Sequence, residues 1–141
     1  MTDDHALERF VAAQDGGGTY DRALSELRRG GKKSHWMWFV FPQIAGLGSS
    51  ATARQYAIGS LAEAQAYLSH PVLGPRLLAC TTAVCGLDET DPERVLGAVD
   101  ARKLQSSMTL FHLAAPDEPA FRAVLDKYFD GRLDQATLDR L

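Results

Sequence analysis

The segment LGPRLLACTTAVCG, residues 73–86, places apolar or small side chains three or four positions apart and ends in glycine. Its predicted inward stripe consists of Leu73, Leu77, Leu78, Thr81 and Val84. This spacing follows the 3.6-residue turn of an amphipathic helix, and a glycine just beyond such a stripe commonly ends the helix. The segment therefore predicts a core helix and makes helix the leading structural class.

Helix signals recur on both sides of this segment. Upstream, the triple glycine 16–18 interrupts a helical pattern, and Ser60 with Glu63 forms the S-x-x-E capping box of another helix. Downstream, residues 100–113 carry a further apolar stripe that Pro116 closes. Strand-type alternation is hard to find. We predict a mainly α, compact multi-helix bundle.

Length and composition restrict the class of protein. The chain has 141 residues, 45% of them hydrophobic and 23% charged, so we treat residues 1–141 as one globular domain. No apolar run approaches the roughly 20 residues that span a bilayer. The N-terminal Met1-Thr2-Asp3-Asp4-His5 lacks the basic and apolar parts of a signal peptide. We therefore predict a cytoplasmic protein without membrane association.

Charge and metal-ligand spacing restrict the partners. A net charge of −3 gives no general reason to expect nucleic-acid binding. The four histidines and two cysteines show no metal-ligand spacing, so we predict no metal and assign no other cofactor. The sequence leaves the oligomeric state open.

The aromatic run, residues 33–43 (KSHWMWFVFPQ), combines ring surfaces with polar and charged groups. Its candidate ligand-binding side chains are Lys33, Ser34, Trp36, Trp38 and Gln43, and His35 is a candidate proton carrier. Basic groups meet phosphate, while tryptophan offers a flat face for a heterocycle. The alternative is a solvated basic helix end that leads into a core aromatic segment. Periodicity does not decide whether Phe39-Val40-Phe41 is strand, buried helix or extended chain.

Two more segments carry polar candidates. The loop 46–54 offers the hydroxyl of Ser50 and the cation of Arg54 for a phosphate or carboxylate cradle, although Ser50 could equally be a plain helix N-cap. The loop matches neither a P-loop nor a dinucleotide fingerprint. In the predicted helix 100–113, Asp100, Lys103 and Ser107 share one face, and either a site or a surface ion pair accounts for them. This helix also contributes Ser106 and Thr109.

Three strings give the chain a strong resemblance to a known family: SHWMWFVFPQ (34–43), HPVLG (70–74) and SSMTLF (106–111). The chain resembles the bacterial family known as domain of unknown function 1810. This resemblance implies a compact, mainly helical domain, and the family has no established activity. The order of elements is also similar to that of the NADAR superfamily, helical proteins linked with ADP-ribose and riboflavin-pathway chemistry.

These segments support one leading functional hypothesis. We expect an anionic small molecule, nucleotide-like or ADP-ribose-like, to bind between the aromatic run and the helix that starts near Asp100. The candidate catalytic residues are His35, Asp100 and Lys103. The candidate ligand-binding residues are Lys33, Ser34, Trp36, Trp38, Gln43, Ser50, Arg54, Ser106, Ser107 and Thr109. An N-glycosidic hydrolase is the enzymatic version, and a non-enzymatic protein-interaction module is the alternative. A third possibility is that the aromatic run is simply core.

Overall fold

The chain folds into helices joined by short turns, and the computed structural model describes residues 5–141. In chain order the helices are α1 (Glu8–Asp15), α2 (Thr19–Arg29), α3 (Met37–Val40), α4 (Ala51–Gln55), α5 (Leu61–Ser69), α6 (Leu73–Cys85), α7 (Pro92–Leu96), α8 (Ala98–Ala114), α9 (Pro119–Phe129) and α10 (Gln135–Leu138). A 3-10 turn, Gly16–Gly18, joins α1 to α2. Within residues 5–141, β pairing is limited to one parallel bridge between Ile44 and Ile58. The prediction of a mainly α, single-domain fold is confirmed.

Helix α8 is the central element of the fold. It packs against α5, α7, α9 and α10, while α6 packs against α2, α5 and α9. The α8 side chains of Leu104, Met108 and Phe111 are fully buried. Burying one side chain of this size stabilises a fold by roughly 1.5–3 kcal/mol. The core therefore holds α8 firmly, and its first turns emerge at the surface beside the aromatic run.

The predicted helix at residues 73–86 corresponds to α6. Leu73, Leu77, Thr81 and Val84 are buried, and Leu78 is half-buried. The hydroxyl of Thr81 donates to the carbonyl of Leu77 at 2.7 Å, so its burial leaves no unpaired polar atom. The stripe thus faces the core, as its spacing predicts.

Glycines and a capping serine set other helix boundaries. Gly17 and Gly18 adopt φ of +62° and +69°, which turns the chain between α1 and α2 in a conformation that favours glycine. The Ser60 hydroxyl accepts from the Glu63 N–H at 3.1 Å, as the capping pattern predicts. Local signals therefore account for these boundaries.

The aromatic run is neither strand nor a long buried helix. Met37–Val40 forms one helical turn, α3, and the residues on either side are irregular. Trp36, Met37, Val40 and Phe41 are buried in the core, whereas Trp38 and Phe39 are half-buried. The run is thus part core and part surface, which combines two of the alternatives that the sequence leaves open.

No helix within residues 5–141 combines the length and apolar character needed to cross a membrane. The same residues hold no group of three or more His, Cys, Asp or Glu side chains suited to a metal ion.

Candidate functional site

A cleft lies between the aromatic run, the loop that follows it and the first turns of α8. Its outer lobe has a volume of about 390 Å³, within the range of about 300–1,000 Å³ usual for small-molecule sites. Its inner lobe is smaller, about 90 Å³. Both lobes share the same four lining residues, Trp38, Gln43, Gly48 and Ala53. The two lobes therefore adjoin along a common wall.

Trp38 supplies an aromatic surface to both lobes. Its ring is half-buried, and the Lys103 ammonium lies 4.7 Å from the ring centroid. A cation at this distance is attracted to the electron-rich ring face. Trp36 is fully buried, so Trp38 is the tryptophan that presents ring surface to the cleft.

Glu26 of α2 anchors the chain just before α3. Its carboxylate accepts hydrogen bonds from the Lys33 N–H at 2.7 Å, the Ser34 N–H at 2.9 Å, the Ser34 hydroxyl at 2.6 Å and the Trp36 Nε1–H at 3.0 Å. Burial alone would raise the pKa of Glu26, but these four donors outweigh it and lower the pKa to about 2. Glu26 thus provides four of the hydrogen bonds that hold this irregular segment.

Gln14 of α1 anchors α3 from the other side. Its amide Nε2 donates to the Phe39 carbonyl at 2.7 Å and to the Tyr67 hydroxyl at 3.2 Å. Its Oε1 accepts from Arg76 at 3.2 Å. Because α3 is only four residues long, its carbonyls need partners outside the helix. Glu26 and Gln14 together hold the backbone on both sides of Trp38.

The loop opposite Trp38 closes on itself. The Ala45 N–H donates to the Ile58 carbonyl, and the Ile58 N–H donates to the Gln43 carbonyl, both at 2.8 Å. Arg140 near the C-terminus donates to the Gly46 carbonyl at 3.0 Å. The segment 43–58, whose two ends are paired in this way, is an Ω-loop. Loops of this kind often carry binding residues. The cleft wall is therefore a loop fixed at its base.

Two predicted polar residues lie in this loop. The Ser50 hydroxyl caps α4 by accepting from the Ala53 N–H at 3.1 Å, and Ser50 also lines the outer lobe. Arg54 lines the inner lobe and donates from Nε to the Ser49 carbonyl at 3.0 Å. Each side chain thus has a structural role as well as a place in the cleft.

A cluster of charges occupies the start of α8. The carboxylate of Asp100 lies 2.9 Å from the Lys32 ammonium and 3.6 Å from the Lys103 ammonium. Lys32 also lies 5.2 Å from the centroid of the Trp36 ring. Arg102 is exposed on the outer lobe, and its guanidinium has no hydrogen-bond or ion-pair partner among residues 5–141. Arg102 and Lys103 line the outer lobe and none of its named lining residues is acidic, so the cleft rim is positively charged.

The structure brings five predicted residues to the cleft: Trp38, Gln43, Ser50, Arg54 and Lys103. Five others lie outside its lining. Lys33 and His35 are exposed, Ser34 binds Glu26, Trp36 is core, and Asp100 is held by the two lysines.

The remaining candidates are the three hydroxyls of α8, which also lie outside the cleft lining. The Ser106 hydroxyl donates to the Asp134 carboxylate at 2.9 Å, and the Thr109 hydroxyl accepts from the Asp134 N–H at 2.9 Å. Both bonds hold α10 against α8. Ser107 is fully buried, and its hydroxyl lacks a hydrogen-bond partner in the described part of the chain.

Sequence reasoning missed three residues of the site region: Arg102, Glu26 and Tyr56. Arg102 adjoins Lys103 in a predicted segment, so its charge was a usable signal. Glu26 lies in α2, where a glutamate is usually a solvated surface residue. Tyr56 lines the inner lobe and packs edge-on against Phe39 at 5.3 Å between ring centroids.

The fold and the site define a small all-helical protein with a positively rimmed aromatic cleft. The chain belongs to the family described as "Protein of unknown function (DUF1810)", whose sequence model matches residues 4–141. It is similar to the conserved hypothetical protein Rv1873 from Mycobacterium tuberculosis, known from a crystal structure. The two share 49% sequence identity with a TM-score of 0.95, over 99% of this chain and 98% of the other. No curated protein matches the chain.

Proposed function

We propose that the chain binds an anionic small molecule with a planar ring, nucleotide-like or ADP-ribose-like, in the cleft beside Trp38. The observation that carries this proposal is the combination of a half-buried Trp38 ring with the cations Lys103 and Arg102 on one cleft. A ring stacks on tryptophan, while lysine and arginine bind phosphate through charge-assisted hydrogen bonds.

The charge cluster favours an anionic ligand because Lys103 can turn toward it at small cost. Lys103 lies 3.6 Å from Asp100, beyond the usual length of a hydrogen bond, whereas Lys32 lies at 2.9 Å. If Lys103 moves to a phosphate, Asp100 keeps Lys32 as its partner. Arg102 has no partner within residues 5–141 to give up. The rim therefore supplies two cations to a ligand without leaving a carboxylate unpaired.

A thermal-shift screen against nucleotides, NAD, ADP-ribose and sugar phosphates tests the proposal. A ligand at 100 times its dissociation constant stabilises the folded state by about 2.7 kcal/mol. We expect at least one anion to raise the melting temperature, and Arg102→Ala to reduce that rise. Arg122→Ala is the matched control, because it removes the same charge from an exposed position on α9. The proposal fails if no anion shifts the wild-type protein.

N-glycosidic hydrolysis is the enzymatic version of this proposal. Hydrolysis breaks the bond between a ring nitrogen and a sugar carbon and adds the hydroxyl of water to the carbon. The remaining proton of the water goes to the departing adenine of ADP-ribose, whereas nicotinamide leaves NAD as a neutral ring and the proton goes to solvent. Asp100, whose carboxylate lies 3.6 Å from the Lys103 ammonium at the edge of the outer lobe, would accept the proton of the attacking water, and Lys103 would hold the anionic part of the substrate. His35 is exposed outside the cleft lining, so its role as the acid that protonates a departing adenine requires a substrate that extends beyond the cleft.

Release of the base from NAD or ADP-ribose, followed by chromatography, measures this activity. We expect Asp100→Asn to abolish turnover and Asp117→Asn, at an exposed site before α9, to preserve it. Turnover that survives in Asp100→Asn would remove Asp100 from the mechanism.

A non-enzymatic interaction module is the second candidate function, and the exposure of Val99 favours it. This side chain is 67% exposed and lines the outer lobe. An exposed aliphatic group at a cleft rim is a contact point for an apolar side chain of a partner protein. This function would be supported over the first if the wild-type protein captures a partner that Val99→Asp does not capture, and if no compound in the thermal-shift screen raises the melting temperature.

A further inference from the structure

Gln43 occupies the wall that the two lobes of the cleft share. Its backbone carbonyl accepts from the Ile58 N–H at 2.8 Å, and the next residue, Ile44, is buried and bridged to Ile58. The backbone of Gln43 is therefore fixed by the base of the Ω-loop. Its side chain lines both lobes.

The side-chain amide of Gln43 remains available for a ligand. Within residues 5–141 neither amide atom has a hydrogen-bond partner, and neither is sealed from solvent. Gln14 provides the contrast, since its buried amide is saturated by the protein: Nε2 bonds to Phe39 and Tyr67, and Oε1 bonds to Arg76. Gln43 thus carries an unused donor and an unused acceptor on a half-buried side chain in the cleft.

A carboxamide places one donor group beside one acceptor. It therefore pairs through two hydrogen bonds with a ring edge on which an acceptor stands beside a donor, as on nucleobases. Ribose phosphates and inorganic anions have no such ring edge, although they can bind Arg102 and Lys103. Because Trp38 lines the same wall as Gln43, a stacked ring can present its edge to the amide.

We propose that Gln43 is the specificity-determining residue of the cleft, selecting anions whose planar ring carries a hydrogen-bond donor beside an acceptor. This inference rests on the proposed function. It narrows the expected ligands from ring-bearing anions in general to those whose ring edge carries a donor beside an acceptor, such as nucleotides and carboxamide-bearing ring phosphates. The cations supply affinity for the phosphate, and Gln43 with Trp38 supplies selection of the ring.

Titration calorimetry with AMP, GMP, CMP, UMP, nicotinamide mononucleotide and ribose 5-phosphate tests the inference. We expect at least one ring-bearing nucleotide to bind the wild-type protein tenfold or more tightly than ribose 5-phosphate. Gln43→Met keeps the length of the side chain and removes its hydrogen bonds. This substitution should lower the affinity for that nucleotide by roughly 5- to 150-fold, which corresponds to the loss of one bidentate pair of hydrogen bonds. It should leave the affinity for ribose 5-phosphate unchanged. Gln65→Met, on the exposed face of α5, is the matched control and should change neither affinity.

The outcomes separate this inference from the proposed function. If Gln43→Met binds the preferred nucleotide as well as wild type does, the inference is overturned and the proposed function stands. If the wild-type protein binds ribose 5-phosphate as tightly as every nucleotide, the inference is overturned and only the anion-binding part of the proposed function stands. If none of the six compounds binds, the proposed function fails and the inference fails with it. A wild-type protein without preference for any nucleotide over ribose 5-phosphate overturns the inference even if Gln43→Met folds poorly.

Discussion

Replacing Glu26 with glutamine should remove a pH-dependent part of the stability of this protein. The carboxylate is only 7% exposed, and four hydrogen bonds lower its pKa from 4.5 to about 2. One pKa unit corresponds to about 1.4 kcal/mol, so the ionised carboxylate contributes about 3 kcal/mol to the free energy of unfolding at pH 7. Because the folded-state pKa is lowered, this contribution is complete above the unfolded-state pKa near 4.5. It is lost as the pH falls through 4.5 toward 2.

Urea unfolding of the wild-type protein and of Glu26→Gln between pH 7 and pH 2.5 measures this contribution. All other carboxylates titrate in both proteins, so their effects cancel in the difference between the two free energies of unfolding. We expect wild type to be more stable by about 3 kcal/mol at pH 7 and the difference to shrink steadily below pH 4.5. Glu93→Gln, an exposed substitution in the first turn of α7, should show a small and constant difference. Parallel pH profiles for wild type and Glu26→Gln would refute the role of Glu26 as a charged anchor.

Two further predictions concern a close contact and a buried thiol. A Cβ on Gly74 would lie 2.1 Å from the Leu68 carbonyl oxygen, so Gly74→Ala should destabilise the fold by about 1–3 kcal/mol, measured by urea unfolding. Gly16→Ala, where a Cβ meets nothing within 4 Å, is the control, and equal stability of the two variants would contradict the packing argument. Burial raises the pKa of the Cys80 thiol to about 12, so a thiol reagent at pH 8 should modify half-buried Cys85 first and reach Cys80 only on unfolding. Mass spectrometry of the labelled peptides checks this order, and early modification of Cys80 would contradict it.

The helices were predictable because their signals are local. The stripe and final glycine at residues 73–86 belong to a single helix, and α6 spans Leu73–Cys85. The predicted helix 100–113 extends to Ala98–Ala114 in the structure. Its start differs because Gly97 has a φ of +86° and separates α7 from α8, a backbone conformation that sequence alone does not reveal. Existence and type of a helix thus follow from periodicity, whereas its first residue depends on the turn before it.

The aromatic run resisted prediction because its conformation depends on distant side chains. A four-residue helix is too short to show a 3.6-residue period. Its backbone is held by Glu26 on one side and, on the other, by Gln14, which lies 25 residues before its partner Phe39. The sequence therefore identifies the composition of the site but cannot show which tryptophan is buried.

The polar residues of α8 explain why only part of the candidate site was predictable. A buried polar side chain in an apolar helix usually has a hydrogen-bond partner, and the sequence does not show which residue that partner is. Lys103 lies over the ring of Trp38, so its partner belongs to the cleft. The hydroxyls of Ser106 and Thr109 instead form hydrogen bonds with the carboxylate and the N–H of Asp134, the residue just before α10. Lys103 and Ser106 are thus three positions apart on one helix but contact different elements. Lys103 contributes to the cleft, whereas Ser106 binds the start of the C-terminal helix α10. Such a division depends on which element packs on each face of α8, and that is a property of the folded chain.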